Sequence, residues 1–165
     1  MGLTIGHSLA EQGLPVEILS RRRSEAAGFV AAGMLAPHAE GLNNSLLRLS
    51  QKSQSLIPHW VETIEKTSGM NCGLRKSGIV VPFFNSIERD SYSTAEFGEI
   101  LNRHELEQEV PGIDEKWETA LLFQEDGQID NRRRLMRALE KACVEKGVRF
   151  QEGIEVLDLI TTENK

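Results

Sequence analysis

The chain has 165 residues, enough for one domain with its own core or for parts of two. Hydrophobic residues make up 39% and charged residues 27%, the balance of an ordinary folded protein and not of a disordered one. A net charge of −6 argues against a general nucleic-acid or polyanion binder. Gly2 to Gln12 then predicts a helix, with Leu3, Ile5 and Leu9 as apolar positions and Gly13 as its stop. Gly2 and Gly6 share one helix face, and each costs about 1 kcal/mol relative to alanine. Close packing against a strand or a ligand would offset that cost. Pro15 to Ser20 predicts a short strand carrying Val16, Ile18 and Leu19. Helix, tight turn and strand are the last two thirds of a βαβ unit. The expectation is that the first strand is missing and that the chain is cut at both ends.

Ala26 to Pro37 is rich in glycine and alanine and suited to lying close to another body. Asn43 or Asn44 is placed to cap an amphipathic helix running to Ser68-Gly69. Its stripe of Leu46, Leu49, Ile57, Trp60 and Ile64 is predicted to be core. Gly78 to Pro82 predicts a strand, and Glu88 to Leu106 a polar, partly helical segment leading to Val110-Pro111-Gly112. Ala120 to Phe123 predicts another strand, with Asp126-Gly127 as a turn. Asp130 is the predicted cap of a helix from Asn131 to Lys146 that turns Leu135, Leu139, Ala142 and Cys143 inward and ends at Gly147. Val148 to Ile160 predicts one or two strands, and Thr161 to Lys165 a turn.

Cys72 and Cys143 lack CxxC spacing, which disfavours a disulfide framework or zinc site and fits a reducing, cytoplasmic setting. No run approaches the ~20 apolar residues of a membrane helix. No basic segment followed by an apolar one opens the chain, so no signal peptide is predicted. The triplets Arg21 to Arg23 and Arg132 to Arg134 read as solvated faces. His7, His38, His59 and His104 show no metal spacing. Of these, His38 reads as a surface or supporting histidine rather than a catalytic one.

A dinucleotide fingerprint places G-x-G-x-x-G between a strand and a helix, so that the pyrophosphate meets free backbone amides. Gly2 would be its third glycine. The segment Ala31-Ala32-Gly33-Met34-Leu35-Ala36-Pro37, about a dozen residues after the strand, resembles the flavin-side segment of the glycine oxidase branch of the D-amino-acid oxidase family. Leu121-Leu122-Phe123, Asp126-Gly127-Gln128-Ile129-Asp130 and Arg132 to Leu139 resemble that family's second block, and Gly153-Ile154-Glu155-Val156 the strand that follows.

The resemblance implies an α/β fold: a Rossmann-like FAD-binding domain, its first strand missing, interleaved with part of a mixed-sheet substrate domain. Residues 1–41 and 128–160 would form the nucleotide part, 42–69 a connecting helix and 70–127 the partial substrate domain. It implies FAD as cofactor, with Gly2 beneath the pyrophosphate, Ser20 and Arg21 at the adenosine half, and Val156 at the adenine. Ala32, Gly33 and Met34 would lie along the isoalloxazine. Met34 reads either as facing the substrate or as a gap-filling core methionine. Ser20 departs from the acidic residue usual at its position and accepts hydrogen bonds more weakly, while Arg21 would reach a phosphate or stack on adenine. Asn131 stands where proline is common.

The implied reaction is oxidation of glycine to its imine or glyoxylate with release of hydrogen peroxide, feeding thiazole and thiamine synthesis. Glycine, oxygen, further copies of the chain and a thiazole synthase, fused or separate, are the partners it admits. The substrate-holding tyrosine and arginines would lie downstream of Lys165; Tyr92 matches none of them. A sarcosine or D-amino-acid oxidase, an NAD-dependent dehydrogenase and a catalytically inactive truncated fragment stay open as alternatives.

Overall fold

The computed structural model describes residues 1–158, so the strand end at 159–160 and the turn at 161–165 lie outside the described residues. The chain divides into two compact units. Met1–Ala32, Glu62–Gly73 and the chain from Asn131 onward form the first; Gly33–Val61 and Leu74–Asp130 form the second.

In the first unit, α1 (Gly2–Glu11) ends in a turn where Gly13 N–H bonds the Ala10 carbonyl at 2.9 Å and Leu14 N–H that of Leu9 at 3.2 Å. β1 (Glu17–Ser20) follows and pairs in parallel with β8 (Arg149–Glu152), Ile18 opposite Phe150. The helix that precedes β8, α5 (Arg132–Glu145), buries Ala138, Leu139, Ala142 and Cys143. The Cys143 thiol reaches the Leu3 carbonyl of α1 at 3.4 Å. A parallel pair covered by helices is the α/β arrangement expected. The close helix–strand approach falls at Gly6: a Cβ there would lie 2.8 Å from Ile18 Cδ1 and 3.5 Å from Val16 Cγ1.

Two expectations are corrected here. Asn131, not Asp130, caps α5, because its side-chain oxygen accepts the Arg134 N–H at 3.0 Å. Asp130 instead accepts from Arg75 Nη2 at 3.0 Å. The strand predicted from Val148 extends only over Arg149–Glu152, since the ladder stops where its partner β1 ends at Ser20.

The second unit holds two antiparallel sheets. One has the order β2 (Met34–Leu35), β7 (Gly127–Ile129), β3 (Leu74–Arg75); the other β4 (Ile79–Phe83), β6 (Thr119–Phe123), β5 (Glu99–Leu101). The period-two alternation of β6 builds a core on each face. Leu121 and Phe123 join Phe83, while Ala120 joins Leu101 and Leu106. The polar stretch read as partly helical contains α3 (Ser86–Asp90), the strand β5 and α4 (Arg103–Glu109), the last opened by an Asn102–Glu105 capping box.

The long helix α2 (Asn44–Ser68) gives Asn44–Val61 to the second unit and its last turns to the first. It runs through Pro58, which removes one backbone donor from its ladder. Its stripe is only partly core. Ile64 is fully buried, but Leu46 and Leu49 are exposed.

Candidate cofactor site

α1 begins at Gly2, directly after Met1. Its first internal bond runs from Ile5 N–H to the Met1 carbonyl, which leaves the amides of Gly2, Leu3 and Thr4 without an intrahelical acceptor. Met1 at the cap supplies no side-chain bond, and the first turn carries no acidic residue. Free donors and the positive end of the helix dipole therefore point the same way. Gly2 itself is exposed, and a Cβ there would meet no described atom within 4 Å.

Ser20 and Arg21 come together with the segment before Val156. Ile154 N–H bonds the Ser20 carbonyl and Gly153 N–H that of Arg21, both at 3.2 Å. The Arg21 guanidinium lies 3.2 Å from Glu25 and 3.6 Å from Glu155, all on the exposed rim, where such pairs hold weakly. Val156 is 57% exposed. Of the two basic triplets, Arg21, Arg22, Arg133 and Arg134 are exposed and Arg23 and Arg132 half-buried. Arg23 shares a surface cavity of about 580 Å³ with Arg133 and with Arg137, one turn further along α5. Arg23 also lies 5.0 Å over the Phe150 ring.

Ala32 closes one stretch of the first unit and Gly33 opens the second unit. Gly33 has φ of +92°, a region that glycine enters at no steric cost. Its carbonyl accepts the Ile129 N–H at 2.7 Å, and β2 then pairs Met34 with Gln128 and Leu35 with Gly127. Met34 is 55% exposed. Gly127 is required by proximity, since a Cβ there would run into the Arg75 carbonyl.

Beyond Pro37 the chain meets Asp126, whose side chain is fully buried. Its carboxylate accepts from the backbone amides of His38 (3.1 Å) and Ala39 (2.7 Å), from His38 Nδ1 (2.7 Å) and from Gln54 Nε2 (3.1 Å). With Nδ1 donating, His38 Nε2 is left to accept from Gln51 Nε2 at 3.1 Å. His38 is thus a buried structural residue, not a surface one. Sequence reasoning missed Asp126 and Gln54, reading the first only as part of a turn. The signal lay in an acidic residue placed between strands whose neighbours Phe123 and Ile129 are both core.

The remaining polar groups nearby serve the same backbone. The Tyr92 hydroxyl donates to the Ala39 carbonyl at 2.8 Å and Thr94 to that of His38 at 2.6 Å. Burial, with Glu40 nearby, raises the Tyr92 pKa. In the first unit, burial pushes the Cys143 thiol up to about 11, with Glu140 adding to it. Burial does the same to Cys72, helped by Glu65. Among the described residues no group of three or more His, Cys, Asp or Glu is placed to hold a metal, and no helix is long and apolar enough to cross a membrane.

Comparison with known proteins gives a consistent set of relatives. The family described as FAD dependent oxidoreductase matches residues 1–165. The bifunctional protein ThiO/ThiG of Synechocystis sp. is 34% identical over 157 residues, covering 94% of this chain and 23% of that protein. Glycine oxidase from Geobacillus kaustophilus has a TM-score of 0.82 at 26% identity, covering 95% of this chain and 45% of that one. Glycine oxidase from Bacillus cereus has a TM-score of 0.80 over 98% of this chain and 47% of its own; at 24% identity this is a likeness of fold. The chain therefore spans about a quarter of the curated relative and under half of either solved structure.

Proposed function

The chain belongs to the FAD dependent oxidoreductase family, and from that membership we propose that it forms the cofactor-holding part of an amine oxidase acting on glycine. The observation that carries this reading is the backbone at Gly33, held at positive φ against Ile129 with Ala32 and Met34 exposed on either side. The small residues Ala32 and Gly33, with the Gly33 carbonyl fastened to Ile129, suit the face of a flat ring system. The donor set fits FAD elsewhere too. Gly2 and the first amides of α1 would take the pyrophosphate. Ser20 and Arg21 would take the adenosine half, and the backbone of Val156 the adenine.

When bound, FAD supplies a hydride acceptor for the α-carbon of glycine, and oxygen takes the electrons onward as hydrogen peroxide. The work of this chain is to bind and orient. The free amides of α1 would hydrogen-bond the phosphates, the Ala32–Met34 backbone would line the flavin ring, and Met34 would face the substrate side. Residues 1–41 and 128–160 carry the nucleotide role, 42–69 connect, and 70–127 lean to the substrate. A cytoplasmic setting and a thiazole synthase, fused or separate, complete the proposal; the name of the ThiO/ThiG relative supports the latter.

The substrate is tested by peroxide release with glycine, sarcosine and D-alanine, using the chain within its whole protein. Glycine should react fastest. A faster sarcosine or D-alanine reaction would replace it as substrate, and retained flavin without peroxide from any of the three would remove the oxidase reading.

A further inference from the structure

The two sequence blocks that stand about ninety residues apart are two sides of one clamp. From Ile129 back to Asp126, four consecutive residues hold the chain from Gly33 to Ala39 in antiparallel register. Ile129 N–H takes the Gly33 carbonyl, Gln128 and Gly127 pair with Met34 and Leu35, and the Asp126 carboxylate takes the amides of His38 and Ala39. The near end is main chain to main chain. At the far end the Tyr92 and Thr94 hydroxyls hold the Ala39 and His38 carbonyls, while both amides depend on the Asp126 side chain.

That side chain is saturated. Four donors reach its two oxygens, from the loop backbone, the His38 ring and Gln54 of α2. Its own carbonyl accepts the Gly78 N–H at 3.0 Å, which ties it to the start of β4. Charge-assisted bonds to a buried carboxylate are stronger than neutral ones, and losing one leaves buried donors unpaired. Asp126 thus joins the loop, the helix and the turn, and Gln54 of α2 reaches the same segments at the Leu35 carbonyl (3.5 Å) and the Glu125 carbonyl (2.9 Å).

We propose that Asp126 is a positioning residue: with His38 it sets the backbone of Met34–Pro37 from the C-terminal side, and through that segment the orientation of the flavin ring. The inference rests on the cofactor reading above. Asparagine in the same volume keeps one acceptor oxygen and turns an amide group toward the others. The two donors on the replaced oxygen then face an amide N–H in place of an acceptor.

The test is amide hydrogen exchange at Met34, Leu35, Ala36, His38 and Ala39 of the full chain, followed by the absorption spectrum with FAD added. Three proteins are compared: wild type, Asp126→Asn, and Leu106→Ala, which removes buried volume from a separate cluster of the same unit. In Asp126→Asn, exchange at His38 and Ala39 should rise about tenfold or more above the rest of the unit. Leu106→Ala should loosen the unit without singling them out. Exchange at these amides no faster than elsewhere in Asp126→Asn would overturn the clamp. If that variant does not fold, His38→Phe keeps a ring and loses the Nδ1 donor; local loosening at Ala39 is again expected, and its absence again overturns the clamp. With FAD bound, Asp126→Asn should alter the band shape of the flavin and Leu106→Ala should not. An unaltered spectrum over a loosened clamp would overturn the positioning role while the cofactor reading stands. A wild-type chain that binds no FAD would overturn the cofactor reading and the positioning role together, with exchange still deciding the clamp.

Discussion

A Cβ added at Gly33 would lie 2.5 Å from the carbonyl oxygen of Ile129, the residue whose own N–H holds the Gly33 carbonyl at 2.7 Å. The contact is backbone on both sides, so no side chain can swing away to relieve it. Gly33→Ala should therefore cost about 2 kcal/mol or more, combining the positive-φ penalty with displacement of β7. Urea denaturation checks this. A midpoint equal to wild type would mean that the β2–β7 pairing is not fixed at Gly33.

Gly2 makes the opposite case. A Cβ there meets no described atom within 4 Å, and alanine suits a helix better than glycine. Gly2→Ala should leave the cofactor-free chain as stable as wild type or more so, by up to about 1 kcal/mol. The same methyl should weaken FAD binding, because the pyrophosphate is proposed to need close approach at this position. A substitution neutral for both stability and affinity would mean that the helix N-terminus plays no part.

His7 carries the pH dependence. It is buried at 1% exposure, and its Nε2 has no partner among the described residues. Burial lowers its pKa from the usual 6.5, Glu11 at 3.6 Å opposes this and Lys146 adds to it. A histidine harder to protonate when folded contributes stability that is full above about pH 6.5 and lost as the pH falls through its depressed folded value. Stability measured between pH 7 and pH 5 should fall, and His7→Leu should flatten that portion of the curve.

Both cysteines should be inert in the native chain. Each is fully buried and each thiol is pushed up to about 11, so little thiolate exists near neutral pH. A thiol reagent should modify neither until denaturant is added, and then both. Fast labelling of one in the native chain would show that its element opens readily.

Much of the fold was legible because periodicity and stop signals agreed. The helix before Gly13, the long helix to Ser68 and the strands around Val80 and Leu121 all declare themselves by spacing. Two kinds of feature did not. Asp126 lies next to a glycine and so reads as a turn; its real role needs three segments to meet, and no local pattern records that. Leu46 and Leu49 share a stripe with Ile64, yet the apolar face of a helix says nothing about how far along its neighbours extend. Asn131 over Asp130 was decided by one residue of register, below the resolution of pattern reading. The flavin-side segment from Ala31 to Pro37 was legible as a resemblance in the sequence, but its backbone geometry was not. Its stiffness at Gly33 became physical only when Ile129 was found against it.

The central claim is that this chain holds FAD, and the most direct measurement is the visible absorption spectrum after mixing with excess FAD and desalting. Retained oxidised-flavin bands in wild type, weakened in Gly2→Ala, are the predicted result. A colourless wild-type protein that is otherwise folded by circular dichroism would contradict it.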